Sequence, residues 1–240
     1  MPRDRLLRIL ARLSSGDPAE PDAARLCEVC ADVALMSGAG IMLMTPKTPQ
    51  GSVCSSNEVS ALIEELQFTL GEGPCIDACT LDRPVLEPDL DAPRTRRWIA
   101  FTPAAVGAGA RAVFGFPLHV GAVRLGALNL YRDQTGPLND EQYADCLVLA
   151  GVAAQSVLSM QALAPPGALA AELEKGASGH FVVHQAAGMV SAQAGIGVAE
   201  AMVWLRAHAF SHDRLITEVS RDVVDRILRF DRNAPLPDGV

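Results

Sequence analysis

Residues 180–230 constrain the fold of this chain more than any other stretch. They read HFVVHQAAGMVSAQAGIGVAEAMVWLRAHAFSHDRLITEVSRDVVDRILRF, three helical periods separated by short breaks. Val182, Ala186, Met189 and Val190 share one face of a helix expected over 180–194. Gly195 follows, where a left-handed helix cap is favoured. Val198, Ala201, Met202 and Leu205 recur at i, i+3, i+4 and i+7 in a second helix over 198–210. Asp213 is placed to cap a third, in which Leu215, Val219, Val223 and Ile227 recur every fourth residue. A single narrow stripe does not stabilise so short a helix in water. The three stripes must therefore face one another in a small bundle. Such a bundle suits recognition or docking and leaves little room for a buried active site.

The chain has 240 residues, a length for one large or two ordinary domains. Apolar residues make up 49%, enough for a full core, but aromatics only 5%, so Leu, Val and Ala must fill it. The net charge is −8. Residues 1–160 hold 13 basic and 19 acidic side chains, whereas residues 180–232 hold 6 of each. A neutral tail within an acidic chain argues against tight non-specific binding to nucleic acid, which depends on phosphate neutralisation. A small specific RNA or DNA site remains compatible with it. The segment MPRDRLLRILARL is amphipathic and charged, unlike a secretory leader, and no apolar run reaches the roughly 18 residues of a membrane span. A cytoplasmic setting, with the six cysteines at 27, 30, 54, 75, 79 and 146 reduced, is the expectation.

Ahead of the tail the periods change. Arg alternates with Leu and Ile at helical spacing over 5–13, and Leu26, Val29, Cys30, Val33 and Met36 mark a helix over 22–36. Residues 39–44 and 51–56 read as paired strands around the turn TPKTPQ, whose prolines cannot continue a ladder. Val59, Leu62, Ile63 and Leu66 give an amphipathic helix over 58–68, stopped by Gly71-Glu72-Gly73-Pro74. Residues 75–110, with prolines at 84, 88, 93 and 103, read as irregular apart from a short helix over 98–105. Residues 111–118 and 125–131 read as a hairpin. Asn139 or Asp140 opens a long helix to about Met160, and Ala164-Pro165-Pro166-Gly167 is the best linker. The order describes an α+β fold, an antiparallel sheet with the terminal helices on one face. Helices at both ends of such a domain suggest a homodimer.

Two resemblances follow. Gln185-Ala186-x-Gly188-Met189, Gly195, Ala201, Leu205-Arg206, Ala209, Leu215, Val219 and Val223 make the tail resemble an ANTAR domain, the three-helix RNA-binding module of transcription antiterminators. It departs in one respect: the position after Ala186, commonly basic in that family, is Ala187. Gly71-Glu72-Gly73-Pro74-Cys75, Ala112 to Leu118 and Leu125 to Tyr131 make the preceding part resemble a GAF domain. The resemblances imply a GAF-like sensor over 1–161, a connector over 162–179 and an ANTAR bundle over 180–232. They also imply a signal-responsive antitermination regulator that is not an enzyme. Its sensor would take a small molecule or redox cue in a cavity bordered by Cys75, Phe114, Phe116 and Asn129. Its bundle would bind paired RNA stem-loops, bringing two copies together.

The RNA-binding candidates are His184, Gln185, Gly188, Arg206, Arg214 and Arg221. Histidine can stack on or hydrogen-bond unstacked loop bases, and Gln185 sits beside an apolar stripe where it could read a base edge. Arg206 and Arg214 bracket the second inter-helix turn. The alternative for each arginine is an ion pair with Glu200, Glu218, Asp222 or Asp225 across a helix turn. Gly188 costs roughly 1 kcal/mol inside a helix, which a close approach of RNA or another helix would explain. His180/His184 and His208/His212 are i, i+4 pairs that could begin a zinc site, but no third ligand is fixed, so no metal or cofactor is expected. Cys27-x-x-Cys30 and Cys75-x-x-x-Cys79 lack the spacing of a paired zinc motif and read as structural. Two other readings stay open: a GAF-fold thiol-dependent reductase, and an adaptor whose bundle docks a partner protein.

Overall fold

The computed structural model describes residues 2–14, 23–44, 49–92, 97–162 and 171–231, with side chains from residue 4 and, in the helix that begins at 171, from residue 180. Of the turn expected over 45–50, residues 45–48 lie outside these residues, while Pro49 and Gln50 open a strand instead, Pro49 opposite Met44. The linker expected at 164–167 also lies outside them. The chain divides into two compact units, Met1–Ala177 and Ser178–Val240.

In the first unit the elements run α1 (Pro2–Leu13), α2 (Ala23–Ala34), β1 (Gly38–Met44), β2 (Pro49–Ser55), α3 (Glu58–Leu70), α4 (Pro74–Leu81), β3 (Val85–Glu87), α5 (Phe101–Gly107), β4 (Ala112–Val120), β5 (Val123–Arg132) and α6 (Asp140–Ala162). The strands form one antiparallel sheet in the order β2-β1-β5-β4-β3. The segment expected to be irregular contains α4 and β3. Pro74 sits in the first turn of α4, where its missing N–H costs nothing. Both elements are too short to impose a period on the sequence.

Strand alternation divides the core into two layers. On one face Ile41, Phe114, Phe116, Leu118, Leu128 and Leu130 pack with Ile9 of α1, Leu26 and Cys30 of α2, and Cys146, Leu149, Ala153 and Val157 of α6. On the other, Val113, Ala127 and Tyr131 meet Ile63 of α3, Cys75 and Ala78 of α4, and Phe101 and Ala105 of α5. The terminal helices thus share one face. Arg8 of α1 pairs with Asp145 of α6 at 2.9 Å, and Arg5 also reaches Asp145 and Glu141. Asn139 caps α6, its Oδ1 accepting from the Gln142 N–H at 2.8 Å. By length and composition α6 could cross a membrane, but half of its apolar window is buried in this core.

The cysteines depart from the reduced expectation. Cys27 on the inner face of α2 is disulfide-bonded to Cys54 of β2, with Cα atoms 6.1 Å apart. Sequence spacing pairs Cys27 with Cys30. The helix, however, turns Cys27 onto β2 and leaves Cys30 buried next to Cys146.

The second unit takes in α7 (Ala171–Ala194) from Ser178 onward; its part His180–Ala194 passes through Gly195 into α8 (Val198–Ser211) with a bend of 106°, and α9 (Ile216–Val224) follows. The helix expected from residue 180 begins earlier. The buried stripe of α7 is Val183, Ala186, Ala187, Val190 and Ala194, with Val182 and Met189 half-buried. Ala201, Met202, Leu205 and Ala209 form that of α8, and Ile216, Val219 and Val223 that of α9. Val198 and Ile227, expected inside, are exposed. Leu215, not Asp213, is the N-terminal flanking residue of α9, because Asp213 takes a left-handed conformation (φ 51°) in the preceding turn.

Candidate functional site

The first unit holds a buried polar cluster beneath α3. Asn57 starts that helix with a reciprocal cap. Its Oδ1 accepts the Ser60 N–H at 2.9 Å, while Ser60 Oγ accepts the Asn57 N–H at 3.0 Å. Asn57 Nδ2 also donates to Ser37 O at 2.8 Å, and the Tyr131 hydroxyl donates to Asn57 Oδ1 at 3.1 Å. Pinned there, α3 directs Ser60, Ile63, Glu64, Gln67 and Phe68 inward and leaves Leu62 exposed. Of the stripe Val59, Leu62, Ile63 and Leu66, Ile63 is buried and Val59 and Leu66 pack against the same layer, so only Leu62 departs from the expectation. The polar Ser60, Glu64 and Gln67 share the inner face.

Glycines make room for them. A Cβ on Gly40 of β1 would stand 2.7 Å from Glu64 Oε1, and one on Gly73 would stand 2.6 Å from Gln67 Oε1. Gln67 Oε1 accepts the Cys75 N–H at 2.8 Å, tying α3 to the start of α4. The Glu72 carboxylate accepts the N–H groups of Ala100 (2.7 Å) and Phe101 (2.8 Å), tying the same turn to α5. On the sheet, Asn129 of β5 is 3% exposed and faces the cluster.

Burial dominates the electrostatics. It raises the Glu64 carboxyl from 4.5 to about 8, opposed only by the nearby Asn129 amide. Although Asn129 is near enough to favour the ionised form, neither Glu64 oxygen has a hydrogen-bond partner of proper geometry. Burial, reinforced by Glu64, pushes the Cys75 thiol well up against the opposing bond from Gln67. Cys79 is also raised by burial, opposed by Arg124. At neutral pH the cluster is thus a protonated carboxyl, amides and protonated thiols. It can bind by hydrogen bonds but offers no ready thiolate.

Of the expected cavity residues, Cys75 and Asn129 lie at this cluster. Phe114 and Phe116 pack in the opposite layer with α2 and α6, and this placement corrects the expectation for both. The register explains why: Gly115, not a phenylalanine, stands opposite Asn129. Glu64 and Gln67 are the residues that the sequence reading missed. Nearby, Leu90, Asp91, Trp98, Ile99, Thr102, Pro103 and Val106 line an open cleft of about 430 Å³. Leu90 and Trp98 belong to the same buried layer as Ile63 and Cys75.

The tail candidates are dispersed over three helices. Gln185 and Gly188 are exposed on α7 and His184 is half-buried. Apart from the backbone of α7 itself, nothing among the described residues lies within 4 Å of a Cβ built on Gly188, so no described neighbouring helix requires a glycine there. Arg206 is half-buried on α8, with its pKa lowered by burial. Arg214 bonds to Asp222 at 2.8 Å and approaches Glu218 at 3.7 Å, the ion-pair alternative for this residue. Arg221 on α9 is exposed. Ala187, at the position commonly basic in the ANTAR pattern, is fully buried. The rings of His208 and His212 stack at 4.0 Å, and Phe230 meets His208 edge-on at 5.4 Å. Burial, then His212 and Arg214, lower the His208 pKa, with Asp222 opposing. Among the described residues no group of three or more His, Cys, Asp or Glu side chains could hold a metal.

No family model matches the chain, and no curated protein does. Solved structures do. The GAF domain of an Acinetobacter phosphoenolpyruvate-protein phosphotransferase is 15% identical over 68% of this chain and 96% of its own length, with TM-score 0.49. A domain of a sensor histidine kinase protein from Sinorhizobium meliloti is 22% identical over 57% and 89%, with TM-score 0.45. A type II free methionine-R-sulfoxide reductase from Thermoplasma acidophilum is 16% identical over 55% and 87%, with TM-score 0.44. At these identities and scores they add nothing about ligand or activity.

Proposed function

We propose that this chain is a signal-responsive regulator of transcription antitermination. Its GAF-like first unit takes up a small molecule between α3, α4 and the sheet. Its ANTAR-like second unit binds structured leader RNA. The observation that carries the sensing half is the buried set Glu64, Gln67 and Asn129, in which Glu64 Oε1 and Oε2, Gln67 Nε2 and Asn129 Oδ1 lack hydrogen-bond partners among the described residues, where an apolar core would suffice. The RNA half is supported by the motif resemblance and by Gln185 and Arg221 standing exposed. Two stem-loops need two bundles, so a dimer binds bivalently, and that offsets the weak charge of each module. The buried, protonated Cys75 speaks against thiol-dependent reduction.

The test is an electrophoretic mobility shift with RNA carrying two paired hexaloops. Wild type is expected to retain this RNA. Arg221→Glu should weaken binding and lower the slope of log K against log salt by about 1, the signature of one lost phosphate contact. Failure of the wild type to retain any such RNA would remove the antitermination reading. Gly188→Ala separates stability from contact. The substitution should stabilise the tail by about 1 kcal/mol, because the site is open and helical. If RNA approaches the backbone there, affinity falls while the melting temperature rises.

The adaptor reading has one observation in its favour: Val203 and Phe210 are exposed on α8, at 61% and 63%. Capture of a protein by an intact tail that ignores RNA would establish it instead.

A further inference from the structure

The polar cluster is unbalanced in a way that specifies what would complete it. Among the described residues, Glu64 Oε1 and Oε2, Asn129 Oδ1 and Gln67 Nε2 have no hydrogen-bond partner. Once a bound donor displaces the Glu64 proton, three of these positions accept and one donates. The three residues are at most 3% exposed. An unmet buried polar atom is destabilising, and none of the four holds one element to another. Gly40 and Gly73 leave the space in which two of these side chains sit. A merely structural layer would fill that space with methyl groups.

We infer that this cluster binds a ligand through an edge bearing two adjacent N–H donors, as in guanidines and 2-aminopyrimidinones, received side by side by Glu64 Oε1 and Oε2. The inference rests on reading the first unit as a small-molecule sensor. Two parallel N–H···O bonds to one carboxylate are both strong and geometrically selective. Asn129 Oδ1 accepts a further N–H, and Gln67 Nε2 donates to a carbonyl on the ligand where there is one. Cys75 of α4 is the titratable group coupled to Glu64 among the described residues, and burial raises its pKa. No Arg, Lys or His pairs with Glu64 among the described residues. The ligand thus supplies the positive or donor character that the protein withholds. Since the empty carboxyl holds its proton up to about pH 8, entry of the N–H edge sends that proton to the buffer. No other bond is made or broken.

Two probes separate the possible sources of this edge: methylguanidinium, a cation, and isocytosine, a neutral ring that adds a carbonyl. Each is titrated calorimetrically into the full chain at pH 7, in two buffers of different ionisation enthalpy. At least one should bind with release of up to one proton. Glu64→Gln keeps the shape, and should weaken binding about tenfold or more and abolish the release. Asn129→Ala should weaken binding less and keep the release. Unchanged binding in Glu64→Gln overturns the inference. So does silence of both probes when some other small molecule raises the melting temperature, an outcome that leaves the sensor reading standing. If no small molecule of a broad metabolite set raises it, the sensor reading falls as well.

Discussion

Gly126→Ala is expected to unfold the first unit or leave it barely stable. Gly126 lies in β5 opposite Leu43 of β1 and Leu118 of β4, at the point where the β4–β5 register shifts. Its φ of +157° is one that side-chain-bearing residues rarely adopt, and a Cβ there would stand 1.9 Å from the Met42 carbonyl oxygen and 3.0 Å from Leu43 Cα. The obstruction is backbone in the middle of the sheet, so no rotamer change relieves it. Overpacking costs about 1–3 kcal/mol and forced backbone strain about 1–3 kcal/mol more. Whole domains are stable by only about 5–15 kcal/mol. Urea unfolding followed by circular dichroism measures the loss. Gly151→Ala, on the exposed face of α6 with no atom within 4 Å of its Cβ, is the matched control and should be neutral or stabilising by up to about 1 kcal/mol. A wild-type midpoint in Gly126→Ala would show that β1 and β5 do not approach as described.

Glu64→Gln should change how stability depends on pH. The folded chain keeps the Glu64 proton up to about pH 8, whereas the unfolded chain loses it near 4.5. Between those values only the folded state is protonated, so each unit rise in pH lowers stability by about 1.4 kcal/mol. The contribution is therefore complete below the unfolded value and lost as pH climbs through the folded one. Over the whole interval the loss is on the order of 5 kcal/mol as an upper bound. Glutamine has no such slope. The two proteins should be similar near pH 4.5 and diverge toward pH 8, with the variant the more stable. Denaturant midpoints at pH 5, 6.5 and 8 give the difference curve, which isolates Glu64 from every other titrating group. Parallel curves would mean that the carboxyl is ionised at neutral pH and that the site already holds a counter-charge.

What could be read in advance follows from how each feature is encoded. β1, β4, β5, α3 and α6 each carry a sustained period bounded by Gly, Pro or Asn, and their positions were legible to within about two residues. α4 and β3 are shorter than the period needed to see them. The site is harder, because hydropathy assigns Glu64 and Gln67 outward by chemical character. Only the capping contacts of Asn57 and the glycines at 40 and 73 fix them inward. The misplacement of Phe114 and Phe116 was avoidable. A hairpin turning at 121–122 sets Gly115 opposite Asn129 and Phe114 opposite Leu130, so Phe114 and Asn129 cannot share a side. The Cys27–Cys54 bond was not legible, since its partners lie 27 residues apart and nothing local distinguishes Cys54 from the other cysteines.

The outermost strands of the sheet have a consequence for how copies of this protein can meet. β3 is three residues long, while β2 opens with Pro49, runs out of register with β1 at two places and is fastened to α2 through Cys54. Neither offers a long, flat row of free amides for a foreign strand to extend. Extension of the sheet by a foreign strand is thereby disfavoured along β2 and β3.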